Sequence, residues 1–154
     1  LGSIANAVCD MQGDFMEELF VCAILCGLGF EKYDKYRETL ERLIELKPAD
    51  EVILDLYSRK YKDGMLHIHS IMSECTLDCE LFGKCLMREL KDIYLSVEIA
   101  EFGKKMYELW SRLPDAIDKM EQPFHVLTYA DDCLAYGDEK QCRELYESMF
   151  EFYE

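Results

Sequence analysis

Five thiols and imidazoles within about 20 residues are the chain's most concentrated source of side-chain chemistry. They are His67, His69, Cys75, Cys79 and Cys85. Thiolates and neutral imidazoles are the usual ligands of zinc. A structural zinc knuckle pairs ligands two to four residues apart, and among the three cysteines of this cluster only Cys75 and Cys79 have that spacing. On a helix from 75 to 85, Cys75, Cys79 and Cys85 would not share one face. A metal- or redox-sensing role for His67, His69, Cys75, Cys79 and Cys85 is therefore the alternative reading. Free thiols, with no cofactor and no metal, are the expectation.

Two further spacings touch known chemistry. Cys75-x3-Cys79 resembles the opening of the radical-SAM cluster motif, but the third cysteine of that motif would fall at Phe82. Tyr129-Ala130-Asp131-Asp132 resembles the Tyr-x-Asp-Asp motif of reverse transcriptases, over residues 124 to 153. That resemblance implies two metals held by Asp131, Asp132 and a third carboxylate, for which Asp55 is the candidate. No Gly-Gln template grip lies between them, and no strand pattern builds a palm sheet. Asp131 and Asp132 are thus expected on a solvated helix surface. The chain has no glycine-rich phosphate loop and no paired Glu-x-x-His, and its three histidines, His67, His69 and His125, have no nucleophile context. A non-enzyme is the expectation.

The charge is more informative. The net charge is −15, from 32 acids against 17 bases. Residues 1 to 31 carry five acids and no Lys or Arg, whereas residues 32 to 63 balance eight against eight. Residues 131 to 154 carry eight acids against Lys140 and Arg143. A field of this sign repels nucleic acid and anionic membranes and attracts basic proteins. Carboxylates beside exposed aromatics can also imitate a nucleic acid, and ten tyrosines are too many to bury without hydroxyl partners. The expected function is a small acidic protein acting by protein–protein interaction. Its sharpest form is an inhibitor that occludes a basic nucleic-acid-binding surface; charge and size alone suggest the analogy with phage anti-defence proteins. The residues favoured for partner contact are Asp10, Asp14, Glu17, Glu18, Asp131, Asp132, Glu144 and Glu147. Self-association is left open.

These residues need a scaffold, and the pattern is helical throughout. Half the residues are hydrophobic, while glycine and proline together number 11, too few for a loop-rich all-β chain. Leu1-Gly2-Ser3 reads as the remnant of a cleaved affinity-tag linker, leaving residues 4 to 154 as one helical domain. No run of 18 apolar residues occurs, so no membrane span is expected. Eight cysteines inside helical patterns point to free thiols in a reducing cytoplasm.

Ile4, Val8, Met11, Phe15, Leu19, Cys22 and Cys26 give the first helix one apolar stripe, ended by Gly27-Leu28-Gly29. A second helix spans about 31 to 46, and Pro48 opens a third that ends at Asp63-Gly64. Residues 65 to 83 are expected to be helical, and a further helix runs from Pro123 to Tyr136. Asp138 and Gln141 form a capping box for the last helix, which buries Cys142, Leu145, Tyr146, Met149, Phe152 and Tyr153. The expected centrepiece is residues 84 to 113, one helix of about 30 residues and roughly 45 Å. Leu86, Leu90, Ile93, Val97 and Ala100 mark one face of it. Leu95, Ile99, Phe102, Met106, Leu109 and Leu113 mark the opposite one. Phe102 and Trp110 are core candidates, and Glu98, Glu101 and Glu108 solvent-facing ones. The fold class is all-α, six or seven helices in a bundle around this spine.

Overall fold

Met16 to Leu25 are buried without a break, so the first helix is enclosed on its whole circumference. This computed structural model describes residues 14 to 154 except 75, with side chains from residue 16 onward. The described elements are all helical. They are α1 (Asp14–Gly27), α2 (Tyr33–Leu46), α3 (Glu51–Ser58), α4 (Tyr61–Glu74), α5 (Cys79–Ser96), α6 (Ile99–Ser111), the 3-10 helix η1 (Phe124–Thr128), α7 (Asp132–Ala135) and α8 (Glu139–Phe150). Contacts divide the chain into two compact units, residues 1–82 and 83–154.

In the first unit α1 packs on α2 and α4, and α3 packs on both of those. The single stripe expected on α1 is too narrow, because Phe20, Val21, Ala23, Ile24 and Leu25 are buried as well. Helix α2 is amphipathic as expected, burying Tyr36, Leu40 and Leu43. Helix α3 is opened by Asp50 rather than Pro48. The Asp50 carboxylate accepts from Val52 N at 3.0 Å and Ile53 N at 3.1 Å, satisfying two of the first orphan amides. The third helix does not reach Asp63-Gly64. Arg59 is extended, at φ −75° and ψ 150°, and α4 begins at Tyr61. Gly64 lies inside α4 because the Tyr36 hydroxyl approaches there: a Cβ on Gly64 would lie 2.7 Å from it.

The second unit corrects the spine. Residues 84 to 113 are not one helix; α5 ends at Ser96 and α6 begins at Ile99. Glu98 is extended, at φ −65° and ψ 143°. The Ser96 hydroxyl donates to Ile93 O at 3.0 Å and competes for a carbonyl of the last turn. The two opposed apolar stripes belong to two helices, each burying its own face. Leu86, Leu90 and Ile93 are buried on α5, and Ile99, Phe102, Met106 and Leu109 on α6. Leu95, assigned to the second stripe, is exposed. Helix α6 packs on η1, and α8 packs on α7 and η1.

An edge-to-face cluster of Tyr94, Phe102, Tyr146 and Phe150 fills the core of this unit, with centroids 4.9 to 6.2 Å apart. Trp110 is only half-buried; its indole N–H donates to Lys119 O at 2.9 Å. Glu98 and Glu101 face solvent as expected, and Glu108 is half-buried. The segment from Pro123 to Tyr136 forms η1 and the single turn α7, not one helix. Asp138 caps α8 by accepting from Gln141 N at 3.0 Å. Phe150 takes the buried place expected for Phe152, which is exposed because the chain leaves the helix after Phe150.

Candidate functional site

Helix α1 ends in a Schellman motif that builds one wall of a cleft in the first unit. Phe30 N donates to Leu25 O at 3.1 Å and Gly29 N to Cys26 O at 3.0 Å. Gly29 supplies the left-handed residue, at φ 94°. The reversal carries the chain straight into α2, placing Glu31, Tyr33 and Asp34 beside the helix end. Tyr61, the first residue of α4, closes the other side. Cys26, Gly29, Phe30, Glu31, Tyr33, Asp34 and Tyr61 line a cavity of about 510 Å³.

The Tyr33 and Tyr61 rings meet edge to face, centroids 4.6 Å apart. The Tyr61 pKa is pushed up to about 12, first by burial and then by the neighbouring Cys26 thiol. Tyr36 lies in the core near Tyr33, its own pKa pushed up to about 12, first by burial and then by Tyr33. Among the described residues the lining includes two carboxylates and no Lys or Arg. The last turn of α1 carries no basic residue, so nothing on that turn offsets the partial negative charge of the helix end. Aromatic faces, carboxylates and a helix C-terminus all favour a cation. They are the opposite of the electropositive setting that activates a cysteine nucleophile.

The residues favoured from sequence are not brought together here. Asp10, the Asp14 side chain and Cys75 lie outside the described residues. Glu17 and Glu18 are corrected outright: both are buried, because α1 is enclosed rather than lying at the surface. The Glu18 carboxylate lies 3.4 Å from the Thr39 hydroxyl and 4.0 Å from Arg42 Nη1. Asp132 and Glu144 are exposed. Asp131 is half-buried beside Gly103 rather than fully solvated, and burial followed by the charge of Asp132 raises its pKa. Glu147 accepts from the Tyr94 hydroxyl at 2.7 Å, an interaction that ties α8 to α5.

The motif readings change likewise. Tyr129 to Asp132 joins η1 to α7, with no strand among the described residues. Asp55 lies in the other unit, on α3, where it pairs with Arg59 at 2.8 Å. His67 stands 3.8 Å from Asp55, while His69 is exposed and two residues further along α4, about 200° around the helix. Cys79 is exposed and Cys85 buried. Among the described residues no three of His, Cys, Asp and Glu converge as metal ligands. Periodicity does not reveal the cleft, because its lining joins residues 26–34 to Tyr61, which is distant in sequence. Its only linear traces are the Gly27-Leu28-Gly29 stop and an acid on each side of Tyr33. No helix among the described residues is long and apolar enough to cross a membrane. No family model, curated protein or solved structure matches the chain.

Proposed function

We propose that this chain is a small, acidic, non-enzymatic binding protein of the cytoplasm that works by docking on a basic surface of another protein. An inhibitor that covers a nucleic-acid-binding surface is the sharpest form of that activity. The observation that carries the reading is the cleft at the end of α1, where two carboxylates and two tyrosines line one cavity with no cation among the described lining residues. The chain's net charge of −15 extends the same preference over a longer range. Aromatic side chains beside carboxylates supply desolvated contact area as well as steering.

The experiment is affinity capture with mass spectrometry, followed by kinetics on the recovered partner across ionic strength. The expected partner is basic, and its association rate falls steeply as salt shortens the screening length from about 30 Å to about 8 Å. Tight binding with the same rate at low and high salt would sink the electrostatic reading. Capture of nothing but a second copy of the chain would replace it with self-association.

A further inference from the structure

Resting on that reading, we infer that the cleft at the end of α1 is a socket for one arginine side chain of the partner. Its volume of about 510 Å³ is that of a small-ligand site, roughly 300 to 1,000 Å³. Such a site accepts a side chain rather than a helix or a strand. The walls suit a flat cation. Tyr33, 39% exposed, and Tyr61 present ring surface to it, and Glu31 and Asp34 line it as exposed acceptors. The C-terminal end of α1, with no base in its last turn, adds a third source of negative potential, independent of the two acids.

Guanidinium fits this set better than ammonium. It is planar, weakly hydrated, stacks on aromatic faces and bridges carboxylate oxygens in pairs. The chain uses the same pairing internally: the Arg37 guanidinium lies 4.2 Å from the centre of the Tyr57 ring. Arg37 also reaches Tyr57 O at 3.5 Å, so it is committed there and does not line the cleft.

The probe is N-acetyl-arginine amide, titrated into the isotopically labelled full chain and followed by amide NMR shifts. The citrulline amide, its neutral isostere, and the lysine amide are the comparisons. Arginine amide is expected to move the Gly29, Phe30, Tyr33, Asp34 and Tyr61 resonances saturably, citrulline amide to leave them in place, and lysine amide to bind more weakly. The E31Q/D34N double variant weakens arginine binding about tenfold, and Tyr33→Leu about threefold. These surface changes leave the rest of the spectrum unchanged, which confirms that the variants fold. Equal shifts with citrulline, tighter binding of lysine, or shifts spread over exposed acids and indifferent to the variants would each overturn the socket. The two proposals fail separately. A partner whose affinity is steeply salt-dependent yet unaffected by E31Q/D34N overturns the socket alone. Salt-insensitive partner binding, with arginine amide still seated in the cleft, overturns the docking reading alone.

Discussion

Gly64→Ala tests the packing beneath the cleft in a way that separates two opposing energies. Alanine inside helix α4 should stabilise it by about 1 kcal/mol relative to glycine. The new methyl, however, would stand 2.7 Å from the Tyr36 hydroxyl oxygen. Ordinary contact begins at 3.4 Å, so one of the two must retreat by about 0.7 Å. Tyr36 is buried, only 3% exposed, and cannot swing into solvent. Overpacking of this kind costs about 1 to 3 kcal/mol, leaving a net loss near 1 kcal/mol.

Tyr36→Phe removes the clashing atom. The ring carbon that bore it would lie 3.7 Å from the new methyl, an ordinary contact. The Tyr36 hydroxyl is buried with no hydrogen-bond partner among the described residues, so its removal alone is expected to be neutral or to stabilise by about 1 kcal/mol. In the Tyr36→Phe background the alanine should therefore show only its helical gain. A double-mutant cycle by urea unfolding and far-ultraviolet circular dichroism then gives a coupling near 2 kcal/mol, with Gly64→Ala changing sign between backgrounds. An equal loss in both backgrounds would refute the assignment of the clash to the hydroxyl.

Asp50→Ala is expected to cost about 1 kcal/mol in the same unfolding assay, because two amides of α3 lose their acceptor, and Asp50→Asn should recover most of that. A loss no greater than at a neighbouring exposed site would show that the cap does no stabilising. The tyrosines give a pH prediction. Tyr36 and Tyr61 have pKa values pushed up to about 12, and burial also raises Tyr94 and Tyr146, against an unfolded value near 10. A raised folded pKa means the neutral form is favoured in the native state. The stability from this source is complete below pH 10 and is lost as pH climbs from 10 towards 12. Phenolate absorbance should therefore lag behind that of ten free tyrosines and catch up as circular dichroism is lost. Ten tyrosines ionising together near pH 10, with the helices intact, would contradict it.

Helical periodicity carried most of the fold, and its failures have physical causes. Within α5 and α6 the two stripes on residues 84 to 113 mark the buried faces, except at Leu95 and Ala100, which are exposed. Periodicity reports the buried face of a residue set, but not whether two sets share an axis. The break at Val97 and Glu98 has neither glycine nor proline; its local device is the Ser96 hydroxyl on Ile93 O. Gly64 misled in the other direction. Glycine is a helix stop when a left-handed residue is needed, as at Gly29, but it is also the residue that admits a close neighbour, and sequence alone does not separate the two. The real boundary, at Arg59 and Lys60, carries two residues that favour helix.

The displaced acids sharpen the functional reading. Treating α1 as amphipathic made Glu17 and Glu18 a solvent-facing acidic strip, the simplest inference from five acids and no base in residues 1 to 31. Burial of every residue from Met16 to Leu25 removes the side of α1 as a docking surface over that length. What α1 offers is its end. There Glu31 and Asp34, exposed and held next to the turn at Gly29, share a cleft with two tyrosines. Net charge, a property of the whole chain, steers a partner. Only the few acids fixed beside a shaped apolar surface can select one, and these are where substitutions should change affinity rather than association rate alone.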